Sequence, residues 1–350
     1  MPIPTEPIGS IPRPPELVAG MQAGLPPDEL DALFEAAVRS TIAELEATGS
    51  PVITDGEQRK PSFATYPIAG LETLAPDGVV IPFADGHTRQ LPVLTAGPFR
   101  YQTHADSYLL AAQRFATKPV KQAVISASAL SLLYPADGID GYSRDAFVSD
   151  LIDEAEADIR GCLDAGAYNV QIDFTEARLS LKLDPSGGLL RSFVDLNNSV
   201  LDRFSADERT RIGVHSCPGG DHDSTHSADI DYAELLPVLF DLHAGAFYLE
   251  LAGESDPEAV LDTVAASLKP GQRVFVGVTD PIDPAVETAE QVRDRVLLAA
   301  GHIPLAQLGT TDDCGLSPFA DDGSTGRETA FAKIRARVRG TQLAAEQLGA

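Results

Sequence analysis

The 350-residue sequence predicts an α/β fold, a single (β/α)8 TIM barrel, and three observations carry this prediction. Short apolar runs rich in β-branched residues alternate with longer helical patterns, as in βαβ units with a parallel sheet. The apolar runs are mostly continuous, which is typical of strands covered on both faces. About eight such units fit a barrel, which typically needs about 250 residues. A doubly wound open sheet is the alternative, although no G-x-G-x-x-G motif follows a first strand.

The elements follow one another along the chain. The predicted strands are Pro51–Asp55, Val120–Ser126, Tyr168–Phe174, Arg211–His215, Ala246–Ala252, Arg273–Asp280 and Leu305–Thr310, with Ile3–Ile8 as a weaker candidate at the start. The predicted helices are Pro27–Thr48, Asp145–Ala165, Gly187–Phe204, Tyr232–Leu242, Pro257–Ser267, Thr288–Ala300 and Arg327–Leu348. Proline opens the first of these helices and Gly49 follows it, which is the usual asymmetry of helix ends.

Residues 64–115 lack the barrel periodicity and account for the surplus length. Within them, the run VVIPFADGHTRQLPVLTAGPF predicts a β-hairpin that turns at Asp85 and Gly86. We expect this insertion after the second strand to lie over the mouth of the barrel, either as decoration or as a substrate lid. The chain from 1 to 350 is otherwise predicted to be a single domain.

Composition excludes two classes of partner. The 52 acidic and 26 basic residues give a formal net charge of −26. A surface this negative repels phosphate backbones and anionic lipid, so we expect neither nucleic-acid nor membrane binding. The N-terminal segment has no apolar core of a secretory signal, and three widely separated cysteines suit a reducing compartment. The expectation is a cytoplasmic protein whose oligomeric state is open.

Four potential metal ligands fall where predicted strands end. His215 and Cys217 form a His-x-Cys pair whose side chains point the same way on extended chain. Glu250 lies near the end of the next strand, and Cys314 follows the last one. The carboxyl ends of barrel strands converge on one mouth, where a nitrogen, two sulfurs and a carboxylate would suit tetrahedral Zn²⁺. Cys162 lies in a helical pattern and is predicted to be part of the core.

A competing metal set follows closely in the segment GGDHDSTH, which contains Asp221, His222, Asp223 and His226. The two histidines are four residues apart, but they lie in a glycine-rich loop where helical geometry is not assured. We therefore interpret them as groups that support the first set or hold the loop together.

Seven segments, spread in order over nearly the whole chain, carry a resemblance to a known family. They are Ile8–Pro14, Thr54–Arg59, Lys118–Lys121, Gln171–Asp173, His215–Cys217, Leu249–Glu250 and Asp313–Leu316. With these segments the chain resembles the catalytic C-terminal half of cobalamin-independent methionine synthase, in the superfamily that also holds uroporphyrinogen decarboxylase. The resemblance implies a Zn²⁺ cofactor held by His215, Cys217, Glu250 and Cys314. In the family this zinc binds a substrate thiol, to which a methyl group is transferred.

The resemblance also implies how the amino-acid thiol is held. Its contacts would be the backbone of Ile8, Gly9 and Ser10 and the catalytic carboxylates of Glu57 and Asp173. The chemistry is coherent, because zinc deprotonates a bound thiol and so makes it a better nucleophile at neutral pH. The two carboxylates could bind a substrate ammonium by charge-assisted hydrogen bonds.

The chain departs from the family pattern in ways that concern the methyl donor. It has no room for the second barrel that helps to grip polyglutamyl folate. Ile282 stands where the family usually has a proton-donating histidine, and Phe174-Thr175 replaces an acidic-Pro pair. Single-barrel relatives are associated with corrinoid-type methyl donors, and a sister group adds coenzyme M to epoxides with the same zinc–thiolate chemistry.

The leading hypothesis is therefore a zinc-dependent thiol S-methyltransferase that converts a homocysteine-like thiol to methionine, with a folate, corrinoid or other alkyl donor. Opening of an epoxide by coenzyme M is the first alternative, which Arg13, Arg59 and Lys60 near the mouth keep open by offering charge for a sulfonate. Decarboxylation leaves the metal ligands unexplained. A non-enzymatic barrel with a closed structural zinc site is a further alternative.

Overall fold

A six-stranded parallel sheet organises the computed structural model, which describes residues 3–350. In spatial order its strands are Gln122–Ile125, Val170–Asp173, Ile212–Ser216, Ala246–Leu249, Arg273–Gly277 and Leu308–Thr311. Each strand pairs in parallel with the next one along the chain. This order requires a crossover between every pair of strands, and helices supply these crossovers. The α/β fold with a parallel sheet predicted from the sequence is thus confirmed.

Single bridges continue the sheet at both edges. Thr5 pairs in parallel with Thr310, and Ile53 pairs in parallel with Val120. Two hydrogen bonds flank the Ile53 bridge: the Ile53 amide donates to the Pro119 carbonyl at 3.0 Å, and the Lys121 amide donates to the Ile53 carbonyl at 2.8 Å. The predicted first and second strands therefore lie beside the sheet as isolated bridges rather than as full strands.

Helices flank the strands close to where the sequence predicts them. Their bounds are Pro15–Gln22, Pro27–Ala47, Asp106–Gln113, Ala127–Ser131, Arg144–Asp164, Glu176–Leu183, Gly188–Leu201, Ala206–Arg209, Tyr232–Leu239, Pro257–Ser267, Ala289–His302 and Arg327–Leu348. Local chemistry fixes several ends: Thr288 and Gln291, for example, form a reciprocal capping box at the start of one helix. Among the described residues 3–350, no helix combines the length and the apolar character needed to cross a membrane.

Short antiparallel strands lie in the segment between the second and third predicted strands. Leu74–Ala75 pairs with Val93–Leu94, and Val80–Pro82 pairs with Thr88–Gln90. Gly86 lies in the turn between the latter two with a φ of 94°, a left-handed conformation that favours glycine. We call residues 80–90 the hairpin.

The core is one large apolar cluster between the sheet and its helices. The inner face of the Arg144–Asp164 helix shows how it is built, since Phe147, Leu151, Ile159 and Cys162 are all buried in it. Cys162 thus has the core position expected from its helical pattern. Burial on both faces also explains why the strands are continuous apolar runs.

Candidate functional site

Side chains at the carboxyl ends of the strands line one small cavity. Seven residues singled out from the sequence line it together: Ile8, Gly9, Ser10, Glu57, Asp173, His215 and Cys314. They come from opposite ends of the chain, and the convergence of parallel strands at one edge brings them together.

A histidine and two cysteines form a compact group beside this cavity. One ligand atom from each of His215, Cys217 and Cys314 lies within 4.8 Å of the others, and the group could hold a metal ion. The Sγ atoms of Cys217 and Cys314 are 2.9 Å apart. The structure thus unites three of the four ligands proposed from the sequence.

Burial and hydrogen bonds prepare these three side chains for ligation. The ring Nδ1 of His215 lies 3.2 Å from the Tyr248 carbonyl oxygen, while its buried Nε2 has no hydrogen-bond partner among the described residues. Such a backbone contact orients an imidazole and leaves its other nitrogen for a metal. The hydrogen bond with Cys217 holds the pKa of Cys314 well below its usual range, whereas burial raises the pKa of Cys217. The group therefore favours a thiolate at Cys314 and a protonated thiol at Cys217.

Glu250, the fourth proposed ligand, lies next to the group but outside it. Its Oε2 is 3.7 Å from Nη1 of Arg178, a buried arginine that also binds Glu254. Arg178 stacks over Tyr232, with its guanidinium carbon 4.2 Å from the ring centroid. Oε2 of Glu250 is buried and has no hydrogen bond among residues 3–350. The attraction of Arg178 explains why this carboxylate stands apart from the sulfurs.

Asp313, next to Cys314, fixes the chain that follows Glu250. Its carboxylate accepts backbone N–H groups from Leu251, Ala252 and Gly253 at 3.0, 3.0 and 2.7 Å. The loop after Glu250 is thereby tied to the loop that carries Cys314.

Glu57 and Asp173 place carboxylates in the same cavity, at what we call its carboxylate end, and Asp173 is the neighbour of His215 on the adjacent strand. Glu57 has a φ of 56°, an uncommon left-handed conformation for a residue other than glycine, which turns it inward from a tight loop. Its Oε1 accepts a hydrogen bond from buried Lys60 at 2.9 Å. Oδ1 of Asp173 accepts one from Gln171 at 2.7 Å, and burial raises the pKa of Asp173 to about 6. Buried Asp55 lies nearby, and the cations Lys60 and Arg13 lie beside the same acids, so this part of the cavity holds buried groups of both charge signs.

The segment of Ile8, Gly9 and Ser10 is held in place by its own backbone contacts. The Gly9 carbonyl accepts from the Thr54 hydroxyl at 2.8 Å, and the Ser10 hydroxyl accepts from the Ser317 amide at 3.1 Å. A side chain at Gly315 would meet the Ser10 hydroxyl at 2.3 Å, so the hydroxyl would have to leave its present position.

The competing metal set is divided between different partners. Ligand atoms of Asp221, His222 and Asp322 lie within 4.8 Å of one another. Arg89, however, already forms a bidentate pair with Asp221, and its positive charge opposes a cation there. His226 is buried, its amide donates to the Gly219 carbonyl at 3.2 Å, and burial lowers the pKa of its imidazole to about 4. These contacts fit the interpretation that the segment holds its loop together.

Comparison with known proteins identifies the family to which the chain belongs. Residues 3–338 match the family described as cobalamin-independent synthase, catalytic domain. The chain belongs to this family. It is therefore a methyltransferase of the cobalamin-independent methionine synthase type, as the resemblance implied, and its family acts in methionine biosynthesis.

Individual relatives of the cobalamin-independent synthase family differ in length. A methionine synthase from Sulfurisphaera tokodaii is 23% identical over 350 residues, covering 99% of this chain and 94% of the relative. A 5-methyltetrahydropteroyltriglutamate–homocysteine methyltransferase from a Synechococcus species is 26% identical over 324 residues, covering 90% of this chain but 40% of the relative. The chain thus spans less than half of the longer relative.

A solved structure shows the same fold. The B12-independent methionine synthase from Shewanella sp. W3-18-1, in complex with selenomethionine, superposes with a TM-score of 0.78 at 18% identity. The superposition covers 99% of both chains.

Arg89, Arg178 and Asp313 are site residues that the sequence did not reveal as such. Asp313 stood in a recognised motif without an assigned role, whereas Arg89 lay in the predicted hairpin without a role of its own and Arg178 in a segment with no strong pattern. Their roles follow from side-chain contacts across distant parts of the chain, such as the pair between Arg89 and Asp221.

Proposed function

We propose that this methyltransferase transfers a methyl group to the thiol of homocysteine, or of a closely related amino-acid thiol, with the help of Zn²⁺. The observation that carries the proposal is the convergence of His215, Cys217 and Cys314 beside a cavity that His215 and Cys314 line together with Glu57 and Asp173. A thiol ligand site and an ammonium site therefore share one small cavity.

The donor set fits zinc. Two thiolates on a tetrahedral Zn²⁺ with bonds of about 2.3 Å lie about 3.8 Å apart, so the Cys217 and Cys314 sulfurs need to separate by less than 1 Å. The unpartnered Nε2 of His215 supplies a third ligand, and Glu250 would supply the fourth by turning from Arg178. When bound, Zn²⁺ lowers the pKa of a substrate thiol so that it ionises at neutral pH.

The carboxylates orient the acceptor. A substrate ammonium between Glu57 and Asp173 would donate charge-assisted hydrogen bonds to them, while the hydrogen bond from Lys60 holds the Glu57 carboxylate in place. Because the two carboxylates line the same cavity as Cys314, binding the ammonium would direct the substrate sulfur toward the metal ligands.

Two finer points belong to the same proposal. The bridges at Thr5 and Ile53, together with the hydrogen bond from the Ile11 amide to the Gly56 carbonyl, support closure of the sheet into an eight-unit barrel of one domain. The segment 64–115 would then be an insertion that forms a lid. A cytoplasmic location would suit the three free cysteines.

The proposal leaves two classes of methyl donor, folates and corrinoids. Ile282 lies 3.5 Å from the point where a side chain on Gly220 would begin, and Gly220 lines the cavity. An apolar side chain thus stands at the position that a proton-donating histidine occupies in the family pattern, which favours a donor whose leaving group needs no proton from this position.

Among the described residues 3–350, the three cations that kept the coenzyme M alternative open are engaged elsewhere. The Nη atoms of Arg13 donate to carbonyl oxygens, including those of Glu57 at 2.9 Å and Lys60 at 2.7 Å. Lys60 is paired with Glu57, and Arg59 is paired with Asp31 outside the cavity. The three cations that kept this alternative open therefore have other partners.

Zinc X-ray absorption of the purified protein tests the proposal. We expect near-stoichiometric zinc and one additional sulfur in its coordination shell when homocysteine is added. A coordination shell that does not respond to thiols would indicate a closed structural site, and a native protein without zinc would refute the metal assignment. Turnover with folate mono- and polyglutamates, methylcobalamin and an epoxide then identifies the donor.

A further inference from the structure

The hairpin places one guanidinium between the two loops that carry the thiols. Arg89 lies on the Thr88–Gln90 strand. It contacts Asp221, shortly after Cys217 in the chain, and Asp321, shortly after Cys314. The proposed methyl transfer assigns no role to these two contacts of Arg89.

Both contacts are bidentate. Nε and Nη2 of Arg89 lie 2.5 and 3.1 Å from the two carboxylate oxygens of Asp221. Nη1 and Nη2 lie 3.0 and 2.9 Å from those of Asp321. The guanidinium carbon also lies 4.3 Å from the centroid of the Phe319 ring. Paired, bidentate bonds between charged groups are geometrically specific, and the Asp221 side chain is 0% exposed, so solvent screens this pair little. The Asp321 side chain is 62% exposed, so the second pair is weaker and the Asp221 pair is the firmer side of the clamp.

The rest of the hairpin is docked on the same loop as Asp221. The Ala84 amide donates to the Thr225 carbonyl at 2.8 Å, and the Asp85 amide donates to the Ser224 hydroxyl at 3.2 Å. These bonds fix where the hairpin approaches the loop, so Arg89 is held in place from its own side as well.

The clamped loops also form walls of the cavity. Gly219 and Gly220 lie between Cys217 and Asp221, and Pro318 lies between Cys314 and Asp321; all three line the cavity. A change in the separation of the two loops would therefore move the sulfurs and the cavity walls together.

We propose that Arg89 is a positioning residue, which sets the separation of the Cys217 and Cys314 loops and thereby the geometry of both thiols. The link to metal binding rests on the proposed function, whereas the clamping of the loops does not. Through Arg89, the 64–115 segment then influences the positions of the two thiols.

Zinc affinity of R89A, R89K and R100A provides the first test. Arg100 is the matched control, because it lies in the same 64–115 segment and pairs with Asp150 on the Arg144–Asp164 helix instead of with the cysteine loops. In competition with a chromophoric chelator, we expect the zinc dissociation constant of R89A to rise about 10- to 100-fold. R89K should show a smaller rise, since a lysine cannot form two bidentate pairs, and R100A should match the unmodified protein.

Alkylation of the metal-free protein provides a readout that does not depend on zinc. After chelation, iodoacetamide labelling of Cys217 and Cys314, followed by peptide mass spectrometry, should be several-fold faster in R89A, with Cys162 as the internal reference. R89K serves the same comparison if R89A does not fold. Unchanged zinc affinity together with unchanged labelling would overturn the proposal. Faster labelling in a protein that binds no zinc would support the clamp while refuting the proposed function.

Discussion

The two ends of the cavity differ in how far the protein itself satisfies them. At the carboxylate end, Glu57 is paired with Lys60 and Asp173 with Gln171. At the sulfur end, Nε2 of His215 and Oε2 of Glu250 are buried without a hydrogen-bond partner among the described residues. Buried polar atoms are normally paired. Glu57 and Asp173 are therefore held by partners within the protein, although Oδ1 of neighbouring Asp55 also has no partner among the described residues, whereas His215 and Glu250 each leave an atom for a further ligand.

Removing a thiol should have the largest effect, because it takes a ligand from the sulfur end. We expect Cys314→Ser or Cys217→Ser to lose stoichiometric zinc and methyl transfer, with a drop in zinc affinity beyond the roughly 100-fold typical of residues that only support ligands. Elemental analysis after dialysis measures this loss. Cys162→Ala, a change at the buried cysteine of the core, should keep its zinc, and equal zinc in all three variants would contradict the assignment.

Removing Arg178 should be the next largest change, since it leaves Glu250 and Glu254 without their cation. Breaking a buried ion pair from one side costs about 3–5 kcal/mol, so Arg178→Gln should destabilise the metal-free protein by roughly that amount in urea unfolding. Zinc should recover part of the loss if Glu250 turns to the metal. Arg203→Gln, in a more exposed ion pair with Asp153, should cost less than about 1 kcal/mol. A similar loss of stability in both variants would contradict the prediction that the buried ion pairs of Arg178 contribute more than an exposed pair.

A pH effect should come from Glu176, which lies near the carboxylate end and accepts hydrogen bonds from Ser126 and Ser128. Burial raises the pKa of Glu176 to about 7 from its ordinary value of 4.5. The folded state therefore holds its proton more tightly, and the stability this provides is present below pH 4.5 and lost as the pH rises through 7. Relative to Glu176→Gln, the unmodified protein should lose up to about 3 kcal/mol across this range. Parallel stability–pH curves would contradict the prediction.

The smallest effect concerns recognition of the acceptor. Asp173→Asn removes a charge that would hold the substrate ammonium, worth about 1.5–3 kcal/mol, so KM for homocysteine should rise roughly 10- to 100-fold at pH 8. Zinc content should stay stoichiometric, because Asp173 is not part of the group formed by His215, Cys217 and Cys314. A thiol of the same length without the amino group serves as the control, since its KM should hardly differ between the two proteins. An equal rise for both thiols would exclude an ammonium contact.

The sequence predicted the strands of the sheet more completely than the side-chain contacts of the site. Its apolar runs located all six strands of the sheet, since burial on both faces leaves a strong local pattern. The first two predicted strands are only single bridges, because pairing at Thr5 and Ile53 depends on partners far along the chain. The trio of His215, Cys217 and Cys314 was found from strand ends alone, whereas the position of Glu250 depends on Arg178, whose approach no local pattern records.

By itself, the amino-acid order determined which chemistry gathers at the cavity. Residues at the carboxyl ends of parallel strands must meet at one edge, so their identity and spacing carry that information. Only tertiary structure decided which charged partner each acid takes: Lys60 for Glu57, Arg178 for Glu250 and Arg89 for Asp221. Charged side chains can reach several partners, and burial leaves only those contacts that the packing of distant segments brings within hydrogen-bonding range.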